Sequence, residues 1–300
     1  MRFRQLGGDQ RYGPGMVFLA LTVAALALTV AALVGTSLLR RPPAGLLRTN
    51  FRGRDIPVVG GLVIVAGLLA GEAALSVAYL LRTGGRSSVT FLSRDHWGLL
   101  VVALGFFGLG LLDDLAGGTH ARGFRGHVKA MASGQITGGA IKALGGAAVG
   151  LVVGALWEHS LGPAILDAAI VALSANLVNL LDLRPGRAAK VYLAAWVALA
   201  AGAWGSAYVV LSLPVAAATL LWLGPDLAER GMLGDVGANL LGAVLGAGAA
   251  LTLHLRGRLV VLGVLVVLTA ASERWSFSRV IERVPPLRWL DNAGRNRNRG

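Results

Sequence analysis

Long apolar runs separated by short polar segments dominate this chain. Nine of them read as membrane-spanning helices, over residues 16–39, 57–81, 97–112, 131–156, 163–181, 191–204, 206–223, 236–255 and 259–272. A spanning helix needs about 20 mostly apolar residues; several of these runs are shorter, and 191–223 admits other divisions. The first run is too long, and lacks the small-residue cleavage site, for a simple signal peptide. The expected fold class is therefore all-α: a polytopic membrane protein with a single transmembrane domain over 1–272 and a basic tail over 273–300. In the tail, seven arginines and the Pro285-Pro286 pair oppose a tenth span and predict a surface-lying element, with Trp275, Phe277 and Trp289 as its lipid contacts.

The polar connections carry the orientation. With the N-terminus outside, the inner segments 40–56, 113–130, 182–190, 224–235 and 273–300 hold 19 Lys and Arg, and the outer segments hold 8. Positive charge accumulates on the cytoplasmic side, so the count predicts N-out, C-in. Within the spans, the ladders Gly134/Gly138, Gly146/Gly150/Gly154 and Gly242/Gly246 predict close helix–helix approach. Glu72 and Asp167 fall near the outer half of predicted spans and are expected either to be structural pairs or to mark misplaced span ends. Lys142 lines a polar cavity, snorkels, or marks a misplaced span boundary.

Composition narrows the class. Hydrophobic residues make up 55% of the chain and charged residues 14%, against roughly 25% charge in soluble domains. Mean hydropathy is +0.67. These values exclude a disordered chain, a disulfide scaffold and a conventional soluble enzyme. The net charge of +13 is accounted for by topology and anionic headgroups, and no zinc spacing or aromatic-interleaved basic region points to nucleic acid. With no cysteine there is no thiolate chemistry.

The orientation has a consequence for the acidic residues. Asp113 and Asp114 end the third span, Asp182 ends the fifth and Asp235 begins the eighth, so all four fall at the same predicted cytoplasmic boundary. Adjacent carboxylates repel unless a cation or hydrogen bonds compensate. Oxygen-rich sites suit Mg²⁺, which takes one or two carboxylates plus phosphate oxygens. Asn176, Asn179 and Asp182, three residues apart, share one helical stripe. Asp235 either caps a helix or belongs to a phosphate site at its N-terminus. Arg122, Arg125 and Lys129 follow the first acidic pair, and Arg184, Arg187 and Lys190 follow Asp182; beside carboxylates they suit a diphosphate or lipid phosphate. The five histidines show no metal-ligand spacing, although His127 sits near the acidic side.

Four segments, in this order, resemble the polyprenyl-phosphate N-acetylhexosamine-1-phosphate transferases: Ile56-Pro57-Val58-Val59-Gly60-Gly61; Gly110-Leu111-Leu112-Asp113-Asp114; Asn176 through Asp182; and Met232 through Gly242, reading MLGDVGANLLG. The resemblance spans residues 45–245. It implies an integral membrane enzyme using Mg²⁺ to transfer a sugar 1-phosphate from a UDP-amino sugar to undecaprenyl phosphate, releasing UMP. It assigns Asp113 and Asp114 to the lipid phosphate and metal, Asp182 as an active-site carboxylate, Asp235 as a metal ligand, and Asn179 and Lys129 to the substrate site. Asn176, Arg184 and Arg187 complete the expected substrate contacts.

The chain also departs from that family. After Asp182 it reads Leu183-Arg184-Pro185-Gly186-Arg187, with Pro185 where the family has a second Asp, and no histidine cluster follows Pro285-Pro286. A catalytically silent homologue that binds lipid phosphate or scaffolds an envelope complex is the rival reading. An aromatic prenyltransferase would need a second, more widely spaced Asp-rich motif, and a transporter an inverted repeat. The expected partners are a polyprenyl phosphate lipid, a UDP-sugar and the membrane, without nucleic acid and with a homodimer left open.

Overall fold

The computed structural model describes residues 14–83, 94–116, 138–158 and 160–295. The chain is an all-α, multi-pass membrane protein. Helices α1 (Pro14–Arg40), α2 (Gly60–Thr83), α3 (Arg94–Ala116), α4 (Gly138–Trp157), α5 (Leu161–Leu181), α6 (Arg187–Gly202), α7 (Ala207–Leu227), α8 (Gly234–Thr252) and α9 (Leu255–Ser272) follow the nine predicted runs. Among the described residues, seven of these are long and apolar enough to cross a membrane; α4 and α6 are not among the seven. The start predicted for the fourth run, 131–137, lies outside the described residues.

Burial orders the bundle around α8. In its most apolar stretch 83% of the residues are buried, against 6% in α9, which makes α8 the hub and α9 the periphery. Small residues make that possible, because in lipid helices associate through close packing rather than through apolar transfer. A Cβ added at Gly246 would stand 2.6 Å from Val171 Cα, and one at Gly150 2.9 Å from the Ala168 carbonyl oxygen. The Gly242/Gly246 ladder thus joins α8 to α5 and Gly150/Gly154 joins α4 to α5; Gly134 lies outside the described residues. At one end of the bundle the intramembrane acids are paired: His96 Nε2 lies 3.0 Å from Glu72 Oε2, and Arg258 reaches Asp167 at 2.9 Å and Glu158 at 2.8 Å.

The opposite end holds an element that hydrophobic periodicity did not reveal. Leu47–Thr49 (β1) and Asp55–Pro57 (β2) form an antiparallel hairpin, so the second helix starts at Gly60 rather than at Pro57. Asn50 makes the turn: its Oδ1 accepts the N–H groups of Arg52 (2.9 Å) and Arg54 (3.0 Å). The hairpin is tied to the connection between α7 and α8. Met232 N–H donates to Pro57 O (2.8 Å), and Gly60 N–H donates to Met232 O (3.0 Å). Glu229 accepts from Asn50 Nδ2 at 3.3 Å and pairs with Arg52 Nε at 3.1 Å.

The tail forms α10 (Phe277–Arg283) and α11 (Pro285–Asn292). At 7 and 8 residues each is far short of the ~20 needed to span. Pro285 starts α11, where its missing N–H costs nothing. Trp275 and Trp289 are exposed, while Phe277 is half-buried.

Candidate functional site

The first turn of α8 is the centre of the site. Gly234 takes φ +75°, a left-handed conformation open to glycine at little cost. Its neighbours then present N–H groups that have no partner within the helix. Asp114, near the end of α3, fills that role: Oδ1 accepts Asp235 N–H at 3.3 Å and Oδ2 accepts Val236 N–H at 3.0 Å. A carboxylate suits the positive end of a helix dipole. Gly110, one turn before Asp114, permits the approach; a Cβ there would lie 2.5 Å from the Asp235 carbonyl oxygen. The Arg48 guanidinium, from β1, donates to the Asp114 carbonyl oxygen and so secures the end of α3.

Asp182 closes α5, its backbone N–H donating to Asn179 O. Its carboxylate accepts the Gly234 N–H and stands within electrostatic reach of Asp226, Asp235 and Asp114. Part of the side chain reaches the surface, yet dense protein around it makes desolvation the main cause of a strongly raised pKa. The negative charges of Asp226, Asp235 and Asp114 raise it further, and only the Gly234 hydrogen bond opposes. Asp113, next to Asp114, is half-buried. Carboxylates far apart in sequence, from α3, α5 and α8, therefore meet at one end of the bundle.

This donor set fits a hard cation in type, since it offers oxygens and an excess of negative charge. Among the described residues, however, no three acidic or histidine side chains stand close enough to hold a metal by themselves. Mg²⁺ commonly keeps only one or two protein carboxylates and completes its shell with phosphate oxygens and water. Asp235 and Asp114 are the residues that would hold it.

The expected substrate contacts separate. Asn179 is half-buried one turn before Asp182, whereas Asn176 is exposed. Arg184 pairs with Glu282 at 3.3 Å and lies over the Phe51 ring, 4.6 Å from its centroid. Arg187 is buried and makes a bidentate contact with Asp291 (2.7 and 3.0 Å) plus a bond to Ser278 Oγ (2.9 Å). The tail thus engages both arginines. Lys190 Nζ donates to the carbonyls of Leu290 (2.8 Å), Asp291 (2.7 Å) and Ala293 (3.1 Å), closing the C-terminal end of α11. Burial alone would raise the Asp291 pKa; the Arg187 hydrogen bond and the charges of Arg187, Arg295 and Lys190 hold it below the usual carboxylate range. Lys129 and His127 lie outside the described residues.

Two residues escaped the sequence reading. Asp226 is 3% exposed and accepts the Gly186 N–H at 3.1 Å, fixing the loop that follows Asp182. Its signal was a carboxylate just past a span that was ended at residue 223, at the same boundary as the other four. Asn239, four residues after Asp235 and so on the same helical face, is 5% exposed, and its Nδ2 has no hydrogen-bond partner among the described residues. A buried amide left without an acceptor costs about 1–3 kcal/mol, which makes it a candidate donor to a bound anion. No protein-family model matches the chain, and no curated protein matches it.

Proposed function

We propose that the chain is a Mg²⁺-dependent transferase that moves a sugar 1-phosphate from a UDP-amino sugar to a polyprenyl phosphate at the cytoplasmic membrane face. The observation that carries this reading is the meeting of Asp114 and Asp182 around Gly234-Asp235 at the start of α8. The order of the four motifs supports it as well. An oxygen of the lipid phosphate forms a bond to the sugar-bearing phosphorus, the bond from that phosphorus to the UMP oxygen breaks, and UMP leaves. Mg²⁺, when bound, supplies charge neutralisation on the diphosphate.

The chain's own residues orient the reactants. Asp114 fixes the register of α8 and with it Asp235. Asn239 donates its free amide hydrogen to a phosphate oxygen. Asp113 and Asp182 border the path of the attacking lipid phosphate, and Asn179 lies beside them. Arg184 and Arg187 contribute less than their sequence positions imply, because both already have carboxylate partners.

That same engagement, with Pro185 in place of the family's second Asp, favours a second reading: a silent homologue that binds lipid phosphate without turnover. Purified protein with undecaprenyl phosphate, Mg²⁺ and a panel of UDP-sugars separates the two. Mg²⁺-dependent UMP release that is lost in Asp235→Asn supports the transferase. Bound undecaprenyl phosphate with no UMP from any donor supports the silent homologue.

A further inference from the structure

A cavity of about 770 Å³ lies between α1, α2 and α7. Thr36, Leu39, Leu221 and Pro225 line its accessible part, and the buried Gly35, Val63 and Trp222 form its floor. It follows α1 from Ala31 to Arg40, which at 1.5 Å per residue is about 14 Å. That length matches about half of a bilayer's ~30 Å hydrocarbon core. At the end nearest the hairpin the lining changes to Arg40 and Arg230.

Arginines at this end of the bundle fall into two groups, and Arg40 and Arg230 belong, with Arg41, to the exposed one. Arg48, Arg52, Arg184 and Arg187 all have partners. The side chains of Arg40 and Arg230 make no ion pair or hydrogen bond with any described residue, and both are exposed. They come from elements 190 positions apart and meet at one cavity mouth. Two cations above an apolar slot one leaflet deep are complementary to a lipid with a phosphate headgroup.

We infer that this cavity binds one anionic phospholipid, its phosphate between Arg40 and Arg230 and its chain along Leu39 and Leu221. It is not the acceptor's place. Trp222 and Leu233 close on Gly60, where a Cβ would stand 2.9 Å from Leu233 Cα, and this layer separates the cavity from Asp114, Asp182 and Asp235. The lipid acts instead on the connection that leads into α8. Glu229 holds the left-handed φ of 53°, sparsely populated for a residue with a side chain, and is anchored by Arg52 at 3.1 Å. Arg230, next to it, points its charge to the cavity four residues before Gly234. A phosphate there supplies the missing counter-charge and pins the second side of the connection. The inference does not depend on whether the chain transfers a sugar.

Native mass spectrometry of the full-length protein, titrated with phosphatidylglycerol or phosphatidylcholine, tests it. One phosphatidylglycerol should be retained in preference to phosphatidylcholine. Arg40→Gln with Arg230→Gln should weaken that binding about thirty-fold, from the ordinary contribution of two basic residues at a membrane surface. The double Lys variant should retain most of it, and Thr36→Trp, which fills the groove from its exposed side, should abolish it with the arginines intact. Equal affinity for the two lipids, undiminished binding in the double Gln variant, or full occupancy in Thr36→Trp would each overturn the inference. So would disulfide-linked dimers from Thr36→Cys, since a second copy of the chain would then occupy the groove.

Discussion

Gly110→Ala isolates the contact that assembles the acidic site. The new Cβ would stand 2.5 Å from both the Asp235 carbonyl oxygen and Val236 Cα, about 1 Å inside ordinary non-bonded contact. Both obstructing groups are backbone, so no side-chain rotation relieves them and α3 must move away from α8. Overpacking of this kind costs about 1–3 kcal/mol. The shift also stretches the Asp114 hydrogen bonds, now 3.0 and 3.3 Å, beyond useful length. A hydrogen bond to a charged group contributes about 1.5–3 kcal/mol. The gain from replacing glycine in a helix is only about 0.5–1 kcal/mol, so a net loss of about 2–5 kcal/mol is expected. Gly108→Ala is the control, because a Cβ there meets nothing within 4 Å. Reversible unfolding in mixed micelles should show Gly108→Ala neutral or slightly more stable, and Gly110→Ala clearly destabilised. Equal stability of the two variants would refute the claim that α3 and α8 touch through backbone at this point.

Three further outcomes are expected. Arg258→Met takes from Asp167, 1% exposed, the guanidinium that stands 2.9 Å away, which should cost about 1.5–3 kcal/mol in the same unfolding assay; adding Asp167→Asn should restore part of it. Because the Asp291 pKa is lowered in the folded protein, the tail clasp contributes fully above the unfolded carboxylate value near pH 4 and is lost as pH falls through the folded value. Quenching of Trp289 should therefore stay constant from neutrality down to about pH 5 and rise only in stronger acid; a rise already near neutrality would contradict the clasp. In intact cells, Trp204→Cys, in the turn between α6 and α7, should label from outside while Arg288→Cys stays protected; the reverse would invert the predicted topology.

Hydrophobic patterning alone determined the helical, multi-pass character of the chain, because lipid leaves the backbone no other way to satisfy its hydrogen bonds along such runs. It also located Asp113, Asp114, Asp182 and Asp235 at one boundary, since span ends and charge bias fix sidedness without tertiary information. The glycine ladders were legible for the same reason: close packing demands small residues. The β1–β2 hairpin was not, because six short strand residues carry no period that distinguishes them from the start of a helix.

What only the tertiary structure decided is how each polar group spends its bonds. The sequence offered Arg184 and Arg187 as phosphate contacts, but a cation takes the nearest carboxylate the fold supplies, and the fold supplies Glu282 and Asp291 from a tail about 100 positions away. Asp114 was legible as an acid and not as the cap of α8, which depends on the approach that Gly110 permits. Asp226, Asn239 and the cavity-lining Arg40 and Arg230 acquire meaning only through neighbours distant in sequence. Spacing along one helix says which residues share a face; which carboxylate meets which cation depends on how the helices come together in space.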